Sequence, residues 1–139
     1  DQLVEDKSLT HERTHEYAAS IMNAVVTDNP FEIGGNVTNN GLIPNLPNDA
    51  CVEVPCMVNR NGIQGCYVGA LPEQLAGLNR THVNVHLLAI EAAVTQSREK
   101  VYQAAMLDPH TRAELTLDQI RNLCDDLFDA HANIMPVYK

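Results

Sequence analysis

The chain has 139 residues, 45% of them hydrophobic, which is enough for one packed domain with a core of its own. Its 18 acidic residues outnumber 9 basic ones, the formal net charge is -9, and Lys and Arg form no cluster. A nucleic-acid backbone or an anionic membrane surface needs a basic face to release counterions, so neither is expected as a partner, and the acidity reads as an ordinary soluble, cytoplasmic surface. No apolar run reaches the length of a membrane span, and Asp1–Arg13 holds no apolar core of the signal-peptide kind.

The polar opening from Asp1 to Ser8 lacks an initiator Met and reads as a chain already in progress. Residues 1–13 are therefore expected to be a linking segment that continues from a missing N-terminal part. Glu12 and Glu16, beside His11 and His15, have the spacing of a solvated helix face. From Thr14 to Val26, Tyr17, Ile21, Ala24 and Val25 recur at three- and four-residue spacing, which predicts a helix ended by Asp28-Asn29-Pro30.

Glycine and proline then concentrate between Pro30 and Gly69. The β-favouring runs there are short: Glu32–Val37, Cys51–Val58 and Gly65–Val68. The second alternates Cys51, Glu53 and Pro55 against Val52, Val54 and Cys56, the pattern of a half-buried strand. Asn39-Asn40-Gly41 marks a turn, because Asn and Gly tolerate positive φ. Pro44, Pro47 and Pro55 argue against central-strand positions. A small sheet with long, ordered loops is expected rather than a sandwich.

From Pro72 onward the pattern is helical, with Pro72 suited to a first helical position. The run Val83–Val94 is apolar on nearly all sides, so it is expected to be buried all round or covered by a partner. A second helix spans about Ser97–Leu107 and ends at Asp108-Pro109. A third starts at Thr116, where Thr116-Leu-Asp-Gln119 has the capping-box form. Its apolar face is Ile120, Leu123, Cys124, Leu127 and Phe128, with Asp125, Asp126 and Asp129 solvated between them. The fold class is α+β: one mainly helical domain over residues 14–139, with a small sheet and long ordered loops.

The chemistry-bearing residues give little by themselves. Cys51, Cys56, Cys66 and Cys124 match no zinc spacing and read as small buried hydrophobes. His82 and His86, at i and i+4, share a helix face and could both reach one ion. No third ligand falls on that face, and Glu91 is turned away from it, so two ordinary histidines are the simpler reading. No glycine-rich dinucleotide loop, P-loop or GxSxG elbow occurs, and Gly34-Gly35 and Gly62/Gly65 lack a strand-glycine-helix setting. In the polar turn of Asn36, Asn39 and Asn40, amide side chains suit a loop that must satisfy its own backbone, and that structural role is favoured over ligand contact.

The string Gly35-Asn-Val-x-Asn-x-Gly-x-Ile-x-Asn-Leu-Pro47, then Cys51-Val-Glu-Val-Pro-Cys56, Asn61-Gly-Ile-Gln64 and Val68-Gly-x-Leu-Pro72, resembles the C-terminal region of glycoside hydrolase family 4. Tyr102-x-Ala-Ala-Met-x-Asp-Pro-His-Thr111, Asp125-Asp126-Leu127 and Ala130-His131 resemble most its melibiase branch, the NAD- and manganese-dependent α-galactosidases. Ordered motifs run through nearly the whole chain from Thr14. Departures from the branch are His82 and His86, where uncharged amides are expected, His15 in place of Arg, and Gly65-Cys66 in place of a Pro-containing pair.

The resemblance implies α-glycoside cleavage by oxidation of the sugar 3-hydroxyl, elimination and addition of water, with NAD and Mn2+ in the full-length parent. The nucleotide fold, metal ligands and base of the family lie upstream of the matched region. The segment is thus expected to hold no catalytic residue, no cofactor and no metal. The implied partners are the N-terminal Rossmann part of the same enzyme, an α-galactoside substrate, and further copies in a homo-oligomer. Asn36, Asn39 and Asn40 are the substrate-cleft candidates. A stand-alone binding or assembly module, or a parent acting as an α-glucosidase or α-galacturonidase, is the alternative.

Overall fold

The computed structural model describes residues 16–139, and the linking segment expected over 1–13 lies outside them, as do His11, Glu12 and His15. The described chain is α+β, with five helices and one three-stranded sheet. It forms two compact units. One comprises the described chain up to Gly35 with Val54–Cys66, and the other Asn36–Glu53 with Tyr67–Lys139.

Helix α1 covers Ala18–Thr27, with Glu16 and Tyr17 outside it. It ends where Asp28 takes a left-handed conformation, φ 62°, and returns its amide to Ala24 O. Only Ala24 of this helix is buried. Strands β1 (Phe31–Thr38), β2 (Cys51–Asn59) and β3 (Gly62–Gly65) make the sheet in the order β1-β2-β3. The alternation read in β2 holds: Val52, Val54, Cys56 and Val58 are buried, while Cys51, Glu53 and Pro55 are exposed.

Two strand expectations are corrected. β3 is Gly62–Gly65 rather than Gly65–Val68, because the chain reverses at Arg60-Asn61 and pairs antiparallel with β2, Asn59 opposite Gly62 and Cys56 opposite Gly65. Gly62 closes this turn at φ 93°, and Asn61-Gly62 is the hairpin signal that marks it. Pro55 does lie inside β2, the middle strand. It is tolerated because it falls opposite Cys66, just past the end of β3. There its carbonyl accepts the Cys66 amide at 2.8 Å, and no donor is required of it.

The second unit carries α2 (Glu73–Thr95), α3 (Arg98–Leu107), α4 (Pro109–Glu114) and α5 (Leu117–Ala130). α2 packs on α3, α3 on both α4 and α5, and α4 on α5. Pro72 caps α2 from one position before its first residue. The expected end of the second helix at Asp108-Pro109 is also the start of α4: the Asp108 carboxylate accepts the amides of His110 and Thr111, and Pro109 occupies the first turn. The Thr111 amide above all, and then that of His110, hold the Asp108 carboxyl below its usual range. The Thr116–Gln119 capping box is present in full.

The described residues do not enclose the run Val83–Val94, which leaves cover by a partner of the two expectations: of α2 only Ala76 and Ala92 are buried, and Ile90 and Val94 are 59% and 80% exposed. Burial departs from expectation in two other places. On α5, Ile120 and Cys124 face the core, but Leu123 and Leu127 stay exposed. All four cysteines are free thiols, and while Cys56 and Cys124 are buried as expected, Cys51 and Cys66 are exposed. Cys51 sits on the open face of β2, and Cys66 follows the end of β3.

Asp125 is also more than a solvated residue. Its Oδ1 accepts from the Tyr102 hydroxyl and from Arg98 Nη2 at 3.1 Å, which ties α5 to α3. Arg98 in turn lies 4.5 Å over the Phe128 ring. The hydrogen bond to Asp125, reinforced by desolvation, raises the Tyr102 hydroxyl above its ordinary value of 10.0. Among the described residues no helix is long and apolar enough to cross a membrane.

Two measurements check these packings. A Cβ on Gly35 would meet Cys56 Sγ at 2.8 Å. Gly35→Ala should therefore cost about 1–3 kcal/mol in a denaturant titration, with part of the loss recovered when Cys56→Ala is added, since the two sites couple. The raised Tyr102 hydroxyl gives a contribution present in full below about pH 10 and lost as pH rises through the raised value. Tyr102→Phe should accordingly flatten the alkaline decline of stability; an unchanged decline would exclude the Tyr102–Asp125 contact as its source.

Candidate functional site

The connection from β1 to β2 is built around one buried amide. Asn39 is fully buried. Its Nδ2 donates to the carbonyls of Ile43 (3.0 Å), Leu46 (3.1 Å) and Pro47 (2.9 Å), and its Oδ1 accepts from the Ile43 amide at 2.8 Å. Main-chain bonds from Asn39 to Ala50 (2.8 Å) and from Asn40 to Asn48 (3.0 Å) close the loop at its base. Asn40 and Gly41 form the tip, both at positive φ (42° and 86°), and the Leu42 amide returns to Asn39 O at 2.8 Å. This is the turn that Asn39-Asn40-Gly41 suggests.

The three asparagine candidates thus separate. The amide of Asn39 is wholly engaged inside the loop, the structural role that composition favours, whereas Asn36 on β1 and Asn40 at the tip are exposed. Asn45 is a further organising residue that the sequence reading passed over. Its Nδ2 donates to Leu71 O at 2.8 Å and its Oδ1 accepts the Leu71 amide at 3.0 Å, a paired clamp onto the segment leading into α2. The amides of Val68 and Gly69 both reach Leu42 O, at 2.9 and 3.2 Å.

Beside this loop, α2 and the first residues of β2 border an open recess of about 240 Å³, its polar side chains exposed. His82 and His86 both line it, as their i,i+4 spacing implies, together with Asn79, Glu53 and Cys51. Helical spacing alone pairs the histidines, whereas Glu53 reaches the same recess from a strand distant in sequence. Even so, among the described residues no group of three or more His, Cys, Asp or Glu is placed to hold a metal ion. Gly34 and Gly35 lie within β1, and Gly62 and Gly65 bound β3, so neither pair forms a strand-to-helix phosphate loop.

This α+β order with its self-braced loop is that of a C-terminal domain found in a class of glycoside-cleaving enzymes. Residues 1–111 match the Family 4 glycosyl hydrolase C-terminal domain, and the chain belongs to that family. The match begins within the stretch read as a linking segment. The α-galactosidase of Bacillus subtilis (strain 168) is 57% identical over 139 residues, all of this chain but 32% of the relative. The α-galactosidase of Rhizobium meliloti (strain 1021) is 34% identical over 129 residues, 93% of this chain and 26% of the relative. A 6-phospho-α-glucosidase from gut microorganisms, solved in complex with NAD and Mn2+, shares the fold with a TM-score of 0.85 and 24% identity, covering 98% of this chain and 30% of its own. The chain spans about a third or less of the length of each of these relatives.

Truncation of Asn39 should expose how much the loop depends on it. Asn39→Ala leaves the Ile43, Leu46 and Pro47 carbonyls without their shared donor, a cost of about 2–4 kcal/mol from unpaired buried groups. Asn36→Ala and Asn40→Gly should each stay within about 0.5 kcal/mol, since both sites are exposed and Gly suits the Asn40 backbone. Equal losses at all three positions, measured by chemical denaturation, would contradict the division of roles.

Proposed function

We propose that this chain is the C-terminal segment of an α-galactosidase of glycoside hydrolase family 4, and that it forms part of the substrate cleft and the subunit or domain interface. The observation that carries this reading is 57% identity to an α-galactosidase across all 139 residues. On this reading NAD and Mn2+, and with them the oxidation–elimination–addition chemistry, belong to the N-terminal Rossmann part of the parent; in support, among the described residues no three ligands converge and the paired glycines lie in strands.

What remains for this segment is binding and alignment. Asn36 and Asn40 offer exposed amides, and an amide both donates to and accepts from sugar hydroxyls. Asn39 and Asn45 act as positioning residues, because their side chains hold the loop that carries Asn40. A loop braced in this way presents its amides at little ordering cost. The exposed Ile90 and Val94 on α2 and Leu123 and Leu127 on α5 supply apolar faces for the Rossmann part and for a second copy in a cytoplasmic homo-oligomer.

The test compares the segment with its parent. The purified 139-residue chain should not cleave p-nitrophenyl α-galactoside with NAD, Mn2+ and reductant present. The full-length parent should turn over melibiose in preference to maltose or a galacturonide. Cofactor-dependent turnover by the segment would overturn the division of labour, and preference for maltose or the galacturonide would overturn the substrate.

A further inference from the structure

We propose that the segment from Met135 to Lys139 is a releasable strap, which fills an apolar groove along α3 and α5 when seated and uncovers that groove, with the Arg98 guanidinium, when it lifts. After α5 the chain turns at His131, whose carbonyl accepts the Ile134 and Met135 amides, each at 3.0 Å. Among the described residues, Pro136, Val137 and Tyr138 then make no main-chain hydrogen bond. Two bonds hold the far end: the Lys139 amide donates to Gln96 O and the Arg98 amide donates to Lys139 O, each at 2.8 Å. Both of these partners are groups of helix ends, which helical bonding leaves open: Gln96 is the left-handed residue closing α2, φ 53°, and Arg98 is the first residue of α3.

One side chain seats the strap. Met135, Pro136, Val137 and Lys139 are exposed, Val137 by 80%, and Tyr138 alone is half-buried. The Tyr138 ring meets that of Phe128 at 5.4 Å, and the Arg98 guanidinium lies 4.5 Å over the same Phe128 ring. Two recesses, of about 170 and 260 Å³, share Phe128, Met135 and Tyr138 in their linings. Arg98 lies in the smaller, and Val101 and Cys124 lie in the larger. The strap's own side chains thus divide the two, and lifting it joins them into one groove.

The seated state leaves one donor unmet. Arg98 Nη2 is paired with Asp125 at 3.1 Å, but Arg98 Nε is buried with no acceptor among the described residues. A buried donor without a partner opposes the conformation that buries it. Lifting the strap gives Nε access to water, and the two main-chain bonds at Lys139 are exchanged for bonds to water at little net loss. The contact of Tyr138 with Phe128 is then the chief restraint. Such a segment opens as a small local unit, far short of global unfolding, and a single ring sets how often it does so.

The experiment follows hydrogen exchange on the full-length parent, by mass spectrometry with fragmentation that resolves single amides. The Arg98 and Lys139 amides, bonded through the strap alone, should exchange together and well before the amides of Ala104 in α3 and Ile120 in α5. Tyr138→Ala should speed exchange at Arg98 about tenfold and leave Ala104 unchanged, whereas Tyr138→Phe, which keeps the ring, should leave both as they are. Labelling of Cys124 by N-ethylmaleimide, read by peptide mapping, should quicken in Tyr138→Ala as the groove opens. Exchange at Arg98 as slow as at Ala104, or unmoved by Tyr138→Ala, overturns the strap. Fast exchange at Lys139 beside a protected Arg98 describes a fraying segment and overturns it as well. A Cys124 labelling rate unchanged while Arg98 exchange accelerates overturns the uncovering of the groove.

Discussion

A loop running between two strands must find partners for its own amides and carbonyls, and when it is buried, water cannot supply them. The Asn39 side chain answers that need for the connection between β1 and β2. Three carbonyls from the far limb of the loop converge on its Nδ2, and one amide from the same limb reaches its Oδ1. One side chain thereby replaces a stretch of regular pairing. A hydroxyl has too few groups for this work, and a carboxylate would present acceptors to acceptors while burying a charge. The backbone of Asn39 joins in as well, through its amide to Ala50.

The consequences pass outward along hydrogen bonds within the same unit. With the loop shape set, Leu42 O points at the amides of Val68 and Gly69, and Asn45 meets Leu71 with both of its amide groups. Those contacts fix the segment that enters α2, and so the distance at which Asn79, His82 and His86 stand from the loop's apolar side chains.

Local patterns made the elements legible. The alternation in Cys51–Val58, the capping box at Thr116, the Asn40-Gly41 tip and the long helix after Pro72 each depend on neighbours a few residues away, and each is present. The departures arise where a distant partner decides. Pro55 sits in the middle strand because β3 happens to end opposite it, and Asp125 is engaged by Tyr102 and Arg98 from another helix. α4 was hidden for a different reason: Asp108-Pro109 is both a stop and a start signal, and the periodicity is too short on its far side to choose. The site follows the same rule. The i,i+4 pairing of His82 with His86 is readable, whereas Glu53 as their neighbour and Asn45 as a clamp depend on how the chain folds back.

The apparent conflict over α2 resolves through the sizes of its side chains. The buried positions of α2 and α3 are Ala76, Ala92 and Ala104, small residues that let helix axes approach closely. The large apolar residues of α2, such as Leu78, Ile90 and Val94, point the other way and remain exposed. An isolated domain gains little from that arrangement, because burial of a large aliphatic side chain contributes roughly 1.5–3 kcal/mol and none of these three collects it within the chain. The arrangement becomes favourable once a second surface covers the outer face. On the function proposed above, the rest of a longer parent and another copy would each offer such a surface. Apolar patterning all round a helix therefore reports the total surface it can cover, and the described residues supply only part of that cover.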